Sequence, residues 1–204
     1  MSKKNPVKSL DLDTAKTSVE NKITMTSLLL SYQFEYGVNF NERIINLTGD
    51  IDETMFFVLD SALNEMETKS KKDIVIKIHS VGGNVYDALA IVGRITECKC
   101  KIITKGYGCV MSAATLILAS GTRRREISKY GRFMWHEASY SLEGKHSEIK
   151  ATVKEMEREE ALFSEYMAEF TKKDAKFWRS TGVHEDAYFS PNQLKSFGVV
   201  DEVF

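Results

Sequence analysis

From residue 42 onward, short apolar segments of period two alternate with longer segments whose apolar residues recur about every 3.6 positions. The first pattern is typical of strands, and the second of amphipathic helices. Units of this size pair in parallel through right-handed crossovers, so the alternation predicts an α/β fold around a parallel sheet. The first half contains predicted strands at 43–47, 73–78 and 101–104, a turn at 48–50, and helices over Met55 to Met66, 84–96 and 111–119.

The second half of the chain contains the longest predicted helix. Two short strands, near 125–128 and 132–136, come before it. The helix runs over 145–173 and carries one apolar stripe among many Glu and Lys residues. It is longer than a small core requires, so we expect it to project and to pack against a partner. A short helix over 191–197 ends at Gly198, a suitable C-cap.

Residues 1–25 are predicted to form a mobile N-terminal arm or a propeptide, because the segment is lysine-rich and has few large apolar side chains. Residues 26–40 are more apolar and are expected to pack on the body or on a neighbouring subunit. The remainder, 26–204, is predicted to be a single domain.

Composition argues against several classes of partner. The formal net charge is -1, which gives no electrostatic reason to expect nucleic acid or an anionic membrane. The longest apolar run, 110–119, is about half of what a bilayer span requires. The cysteines number three, an odd count, and no secretory signal is recognisable. We therefore expect a reducing, cytoplasmic location.

Three polar residues could together perform acyl transfer: Ser112, His136 and Asp186. A serine hydroxyl needs an imidazole to take its proton, and the imidazolium needs a carboxylate to orient it and offset its charge. Ser112 stands before an apolar helix, where the Ala113 N–H could stabilise an oxyanion. The glycine-containing loop 79–83 offers a second donor, the Gly83 N–H.

Each signal has a more ordinary interpretation when it is taken alone. A serine at a helix start is usually an N-cap, and a Gly-Gly pair is usually a turn. His136, flanked by Met134 and Trp135, would ordinarily be a packed histidine. His79 and His184 are alternative candidates for the base, but no motif places a third, orienting group beside either of them. His136-Glu137 lacks the second histidine of a zinc-protease signature, and Cys98-x-Cys100 lacks a second pair, so no metal is expected.

In combination the motifs resemble the Clp protease proteolytic subunit (ClpP) family, from about residue 42 to the C-terminus. The motifs are Thr48-Gly49, Ser80-x-Gly82-Gly83, Gly108-x-x-x-Ser112-x-x-Ala-x-x-Leu118-x-x-Gly121, Met134-x-His136 and Asp186-x-x-x-Ser190-x-x-x-Leu194-x-x-x-Gly198-x-Val200-Asp201. The resemblance implies a ClpP/crotonase-like superhelix of repeated strand-strand-helix units, with 145–173 as the projecting handle helix.

The resemblance also implies a function. Ser112 would be the nucleophile, His136 the general base and then acid, and Asp186 its orienting partner, with the N–H groups of Gly83 and Ala113 as oxyanion donors. Members form seven-subunit rings, commonly stacked in pairs around a chamber. They are usually fed unfolded polypeptides by a ring-shaped AAA+ ATPase, so ATP is the cofactor of the partner, and no cofactor is expected on this chain.

Several positions depart from the family pattern. His79 and Val81 replace an asparagine and a proline of the glycine loop, and Ala113 stands where methionine is usual. Ala187 replaces an arginine that helps to join rings. Val75 and Lys77 replace aromatic residues of the ATPase docking pocket, which predicts weak or unusual docking.

Three alternatives to an active cellular peptidase stay open. A noncatalytic ring subunit could keep the fold in a structural or regulatory role, although the complete triad argues against it. A viral capsid-maturation protease of the same fold is compatible with the unusual docking residues. An acyl-coenzyme A hydratase-like enzyme would share the repeated units and the paired-amide oxyanion hole but would have no use for the triad.

Overall fold

The computed structural model describes residues 12–204, with side chains from residue 22 onward. Within that range the strands form one mixed sheet. In chain order they are β1 Val38–Asn39, β2 Ile44–Ile51, β3 Ile74–Gly83, β4 Ile102–Met111, β5 Arg124–Ile127, β6 Arg132–Trp135, β7 Ala187–Phe189 and β8 Glu202–Val203.

The sheet is parallel at its centre. β2, β3, β4 and β5 pair in parallel in that order, and β8 adds in parallel to β5. The first half of β4 pairs with β5, whereas its last residues, Cys109 to Met111, pair with β6. β1 and β7 are antiparallel, on β2 and β6 respectively. The predicted α/β fold with parallel pairing is confirmed.

Side chains cap the N-termini of α2 and α3. Asp52 accepts the Met55 N–H at 2.8 Å, and Asn84 accepts two N–H groups of the next helix. At the other end of the chain, Gly198 adopts a left-handed conformation with φ 76° and closes the last helix. Among the described residues the helices are α1 Leu12–Tyr36, α2 Glu53–Lys69, α3 Val85–Glu97, α4 Ala114–Ala119, α5 His146–Phe170, α6 Ala175–Ser180 and α7 Pro191–Phe197.

The predictions differ from the structure at the β4–α4 junction. β4 was expected to end at 104 but continues to Met111, and α4 begins at Ala114 instead of 111. The cause is pairing with β6: Met111 lies opposite Met134, and the Ser112 N–H donates to the Met134 carbonyl at 2.9 Å. These bonds keep the segment extended through Met111. Every residue of α4 is buried, as expected for a central helix.

The predicted turn at 48–50 is also wrong. β2 runs through it to Ile51, with a register shift between Thr48 and Asp50. The shift accommodates Gly49 at φ 95°, a conformation that glycine adopts without the steric cost borne by other residues. β2 can therefore continue to pair with the end of β3, where Ile51 lies opposite Gly83.

The long helix α5 is 25 residues, somewhat shorter than predicted. Its buried residues, Ser164 and Met167, both lie in the C-terminal half. The first half is largely exposed, and Val153 of the apolar stripe is 39% exposed. The first half of the helix therefore projects from the core, as the handle interpretation predicts.

The N-terminal arm expected over 1–25 lies partly outside the described residues, which begin at residue 12. Residues 12–25 belong to α1, a helix that the composition did not indicate. Near its end, Tyr32 packs against Tyr36 and Phe40, whereas Phe34 is 86% exposed. None of the described helices has the length and apolar character needed to cross a membrane. The division into an arm over 1–25 and a single domain over 26–204 stays a prediction.

Candidate active site

One end of each of three strands, β4, β6 and β7, lies at the same place. This arrangement brings together Ser112, His136 and Asp186. Ser112 follows β4, His136 follows β6, and Asp186 precedes β7. β4 and β6 are parallel neighbours, with Met111 opposite Met134, so Ser112 and His136 leave the sheet side by side. β6 and β7 are antiparallel with Trp135 opposite Ala187, and that register brings position 186 beside position 136.

The Ser112–His136 distance is shorter than the His136–Asp186 distance. The His136 Nε2 lies 2.7 Å from the Ser112 Oγ, a hydrogen-bond distance. The His136 Nδ1 lies 3.6 Å from the Asp186 Oδ1, which is too long for a hydrogen bond. The Asp186 side chain is 49% exposed, compared with 23% for His136. The contact between Ser112 and His136 is thus formed, whereas the Asp186 carboxylate stands slightly apart.

The backbone of Ser112 is in an unusual conformation. Its φ is 52°, one of two positive values among the described non-glycine residues. Bonds on both sides hold it there. Its N–H donates to Met134, and its carbonyl accepts from the Thr115 N–H at 3.0 Å and the Thr115 hydroxyl at 2.6 Å. Strain of this kind persists when the surroundings over-determine it, and it is frequent at functional sites.

The glycine loop at the end of β3 lies directly against Ser112. A Cβ added to Gly82, which has φ 106°, would lie 2.6 Å from the Ser112 Cβ and 3.2 Å from the Ala113 nitrogen. A Cβ added to Gly83 would instead lie 2.3 Å from the Ile51 carbonyl oxygen. Both glycines are therefore required sterically. The structure thus brings together the segments that carry the two expected oxyanion donors, Gly83 and Ala113.

Residues that sequence reasoning missed hold His136 in place. The Glu137 N–H donates to the Gly182 carbonyl at 3.0 Å. A Cβ at Gly182, which has φ 78°, would lie 2.7 Å from the Trp135 carbonyl oxygen, so the loop carrying Asp186 approaches β6 closely. The Trp135 indole N–H donates to the Trp178 carbonyl at 2.9 Å. The only signal in the sequence was Gly182 itself, since β7 and α6 had not been predicted.

A cavity of about 230 Å³ opens beside Ser112, Ala113 and His136. Aromatic rings line one part of it. Charged side chains line another: Glu137, Glu159, Glu160 and Arg179. Burial raises the pKa of Glu160, as do the nearby charges of Glu137 and Glu157, and Arg179 opposes the rise. The electrostatic environment is thus predominantly negative.

The other candidate residues lie in different surroundings. The His79 Nδ1 accepts the Cys109 N–H at 3.2 Å. His184 lines a shallow depression with Asp186 on the other side of His136. Burial raises the pKa of Cys98 to about 11, as does its hydrogen bond to Glu67, so this thiol is unreactive at neutral pH. Among the side chains of residues 22–204, no group of three or more His, Cys, Asp or Glu residues could hold a metal ion.

Comparison with known proteins gives the family. The sequence profile described as "Clp protease" matches residues 31–204. The chain belongs to the Clp protease family. It is similar to the ATP-dependent Clp protease proteolytic subunit 3 of Rhodococcus jostii (strain RHA1), at 28% identity over 80% of this chain and 82% of that protein. It is also similar to the ATP-dependent Clp protease proteolytic subunit of Carsonella ruddii (strain PV), at 27% identity over 82% of this chain and 87% of that one.

Membership of the Clp protease family confirms the resemblance seen in the sequence motifs. The profile begins at residue 31, within α1, and so includes the whole sheet and all the predicted site residues. The chain is therefore similar to proteolytic subunits over the entire part of the fold that forms the cavity.

Proposed function

We propose that this member of the Clp protease family is a serine endopeptidase, which hydrolyses unfolded polypeptides through an acyl-enzyme on Ser112. The observation that carries the proposal is the 2.7 Å contact between the Ser112 Oγ and the His136 Nε2. A hydroxyl at this distance can pass its proton to the imidazole as it attacks a carbonyl carbon. A purely structural serine would not need an imidazole in this position.

In the first step the Ser112 Oγ bonds to the scissile carbonyl carbon, and its proton moves to the His136 Nε2. The carbonyl oxygen becomes an oxyanion, for which the backbone N–H groups of Gly83 and Ala113 are the proposed donors. Asp186 stabilises the imidazolium. Because its carboxylate is 3.6 Å from the His136 Nδ1, it must move slightly closer to accept a full hydrogen bond.

The second half of the reaction returns the enzyme to its starting state. The intermediate collapses, the C–N bond breaks, and His136 gives its proton to the leaving amine. A water molecule then attacks the ester on Ser112, with His136 as base, and the carboxylic acid leaves as the Ser112 hydroxyl is restored. Every step is a proton or acyl transfer, so the proposal requires no cofactor on this chain.

We further propose that the chain works as a homo-oligomer in the cytoplasm, in seven-subunit rings that can stack in pairs and that an AAA+ unfoldase feeds. The names of the relatives, which call them ATP-dependent, support a partner that consumes ATP. The exposed first half of α5 supports contact between subunits. Val75 and Lys77, in place of aromatic residues, support weaker docking of a standard ATPase.

Labelling with a fluorophosphonate, followed by peptide mapping, tests the catalytic proposal. We expect modification of Ser112 in the wild-type protein and a loss of labelling in His136→Ala. Native mass measured on the same sample gives the ring size. A ring-sized particle in which Ser112 stays unlabelled, alone and with a Clp ATPase and ATP, would instead favour a noncatalytic subunit.

A further inference from the structure

The cavity beside Ser112 has a composition that bears on substrate choice. It is lined by the nucleophile and by Ala113, so the residue that contributes the scissile carbonyl is the part of a substrate closest to it. A preference of this cavity for particular substrates rests on the proposed peptidase function.

One part of the cavity is a rigid aromatic surface. The Trp135 ring stacks on Phe163 at 5.5 Å, with 24° between their planes, and its centroid is 5.0 Å from that of Trp178. Trp178 is fully buried and Trp135 is 4% exposed. These buried rings hold Phe163, which is half-buried and lines the cavity, so that its ring offers a fixed apolar face to the methylene groups of a long side chain.

Carboxylates line the cavity together with the rings. Glu159 and Glu160 are half-buried on α5, and Glu137 is exposed just after His136. Glu159 accepts a hydrogen bond from the Tyr86 hydroxyl. Among the described side chains, none of these three carboxylates forms an ion pair with a lysine or arginine within 4.0 Å. Three negative groups thus share one cavity without a close cationic partner.

The titration of neighbouring groups reflects this negative field. Burial raises the pKa of Glu160, and the charges of Glu137 and Glu157 raise it further. Burial also raises the pKa of Tyr140, followed by the charges of Glu160 and Glu159. Arg179 is the only lysine or arginine among the described residues that line the cavity, and its side chain is exposed, where solvent and salt screen its charge. It therefore offsets only part of the negative charge.

We propose that this cavity binds lysine or arginine side chains, so that the peptidase cleaves after basic residues, and that Glu160 is the main residue that determines this specificity. The aliphatic stem lies on the aromatic surface, and the ammonium or guanidinium group pairs with the carboxylates. A leucine would fill the apolar part but would leave half-buried carboxylates without a partner. A glutamate would be repelled by them.

The test uses three diphenyl phosphonates that differ only in the side chain next to phosphorus: lysine, leucine or glutamate. The rate of Ser112 labelling is measured with each, by peptide mapping over time. We expect the lysyl reagent to react about 10-fold faster than the leucyl one, the size expected for one charge-assisted contact. The glutamyl reagent should be the slowest.

Glu160→Gln removes one charge with almost no change in shape. We expect it to slow labelling by the lysyl reagent about 10-fold and to speed labelling by the leucyl reagent, because leucine then no longer leaves an unpaired carboxylate at this position. The leucyl rate also shows that the variant is folded and active. Glu165→Gln is the matched control, because Glu165 is exposed on the same helix and does not line the cavity. It should change neither rate.

The outcomes separate the two proposals. Equal labelling by the lysyl and leucyl reagents, or an equal loss in Glu160→Gln and Glu165→Gln, would overturn the basic specificity and leave the peptidase intact. If no reagent and no fluorophosphonate labels Ser112, the peptidase function is wrong, and the specificity proposal is overturned with it.

Discussion

Glu67 and Glu160 are both partly buried glutamates on helices, but they have opposite environments. Glu67, on α2, accepts from the Arg94 guanidinium on α3 at 3.0 Å and from the Lys99 N–H at 2.6 Å, and Arg94 also pairs with Asp60. Burial alone would raise the pKa of Glu67, but hydrogen bonds from Cys98, Arg94 and Lys99 lower it to about 2. The pKa of Glu160 is raised, first by burial and then by Glu137 and Glu157.

The difference separates a structural charge from one that is available to a ligand. Around Glu67 the protein supplies the partners, so the carboxylate is satisfied in the folded state and stabilises it. Around Glu160 the protein supplies more negative charge, so ionisation is disfavoured until a cation arrives from outside. Substitutions in the first region should change stability, and those beside Ser112 should change activity.

Ser112→Ala should have the largest effect on activity, and it should separate activity from stability most clearly. Loss of the nucleophile should reduce kcat for peptide hydrolysis by about 10⁴- to 10⁶-fold, because no other hydroxyl contacts His136 among the described residues. The midpoint of thermal unfolding should change by no more than a few degrees, about the effect of 0.5 kcal/mol. A large loss of stability would break the distinction between the two regions.

Glu67→Gln should have the opposite effect: it should lower stability and leave activity unchanged. Removing the charge leaves Arg94, whose side chain is 13% exposed, with only part of its pairing. We expect the free energy of unfolding to fall by about 1–3 kcal/mol, measured by urea denaturation. Hydrolysis per folded molecule should be unchanged. The control is Glu65→Gln, an exposed residue paired only with Lys69 among the described side chains, which should cost less than about 0.5 kcal/mol.

The stabilisation from Glu67 should depend on pH in a defined direction. Its pKa in the folded state is about 2, below the unfolded value of about 4.3, so the contribution is complete above the unfolded pKa. It is lost as the pH falls toward the folded value. The difference in unfolding free energy between wild type and Glu67→Gln should therefore narrow from pH 6 to pH 3. A constant difference would show that packing, and not charge, is responsible.

Glu160→Gln should give the smallest effect on stability, with the opposite sign. Because the folded pKa is raised, ionisation destabilises the folded state at neutral pH, and the neutral glutamine removes that cost. We expect a gain of less than about 0.5 kcal/mol at pH 7 that disappears as the pH falls below the unfolded pKa. A loss of stability at pH 7 would mean that Glu160 has a partner in the folded state.

Much of the fold could be predicted because local patterns agreed with it. The apolar periods of α2 and α3 and the Gly198 terminus of α7 were legible in the sequence. The β4–α4 junction could not be predicted, because a strand from elsewhere in the chain extends β4 to Met111. β7 is only three residues long and carries no periodic signal.

In the candidate site, too, some features could be predicted from the sequence and others could not. Ser112, His136, Asp186 and the glycine loop were recognisable from residue types and spacings, and all of them lie in the part of the chain that the family profile matches. The contact of Gly82 with Ser112 and the approach of Gly182 to Trp135 depend on backbones that are distant in sequence. No local pattern carries that information.

The sequence by itself determined the α/β class, the order of the central strands and helices and the residues capable of acyl transfer, because periodicity, capping and side-chain chemistry are local properties. Only the tertiary structure decided the register of β6 and β7, which brings Asp186 to within 3.6 Å of His136. It also decided that Glu137, Glu159 and Glu160 line one cavity, whereas Glu67 lies against Arg94. The physical reason is that the charge a carboxylate experiences is set by neighbours from other elements of the fold.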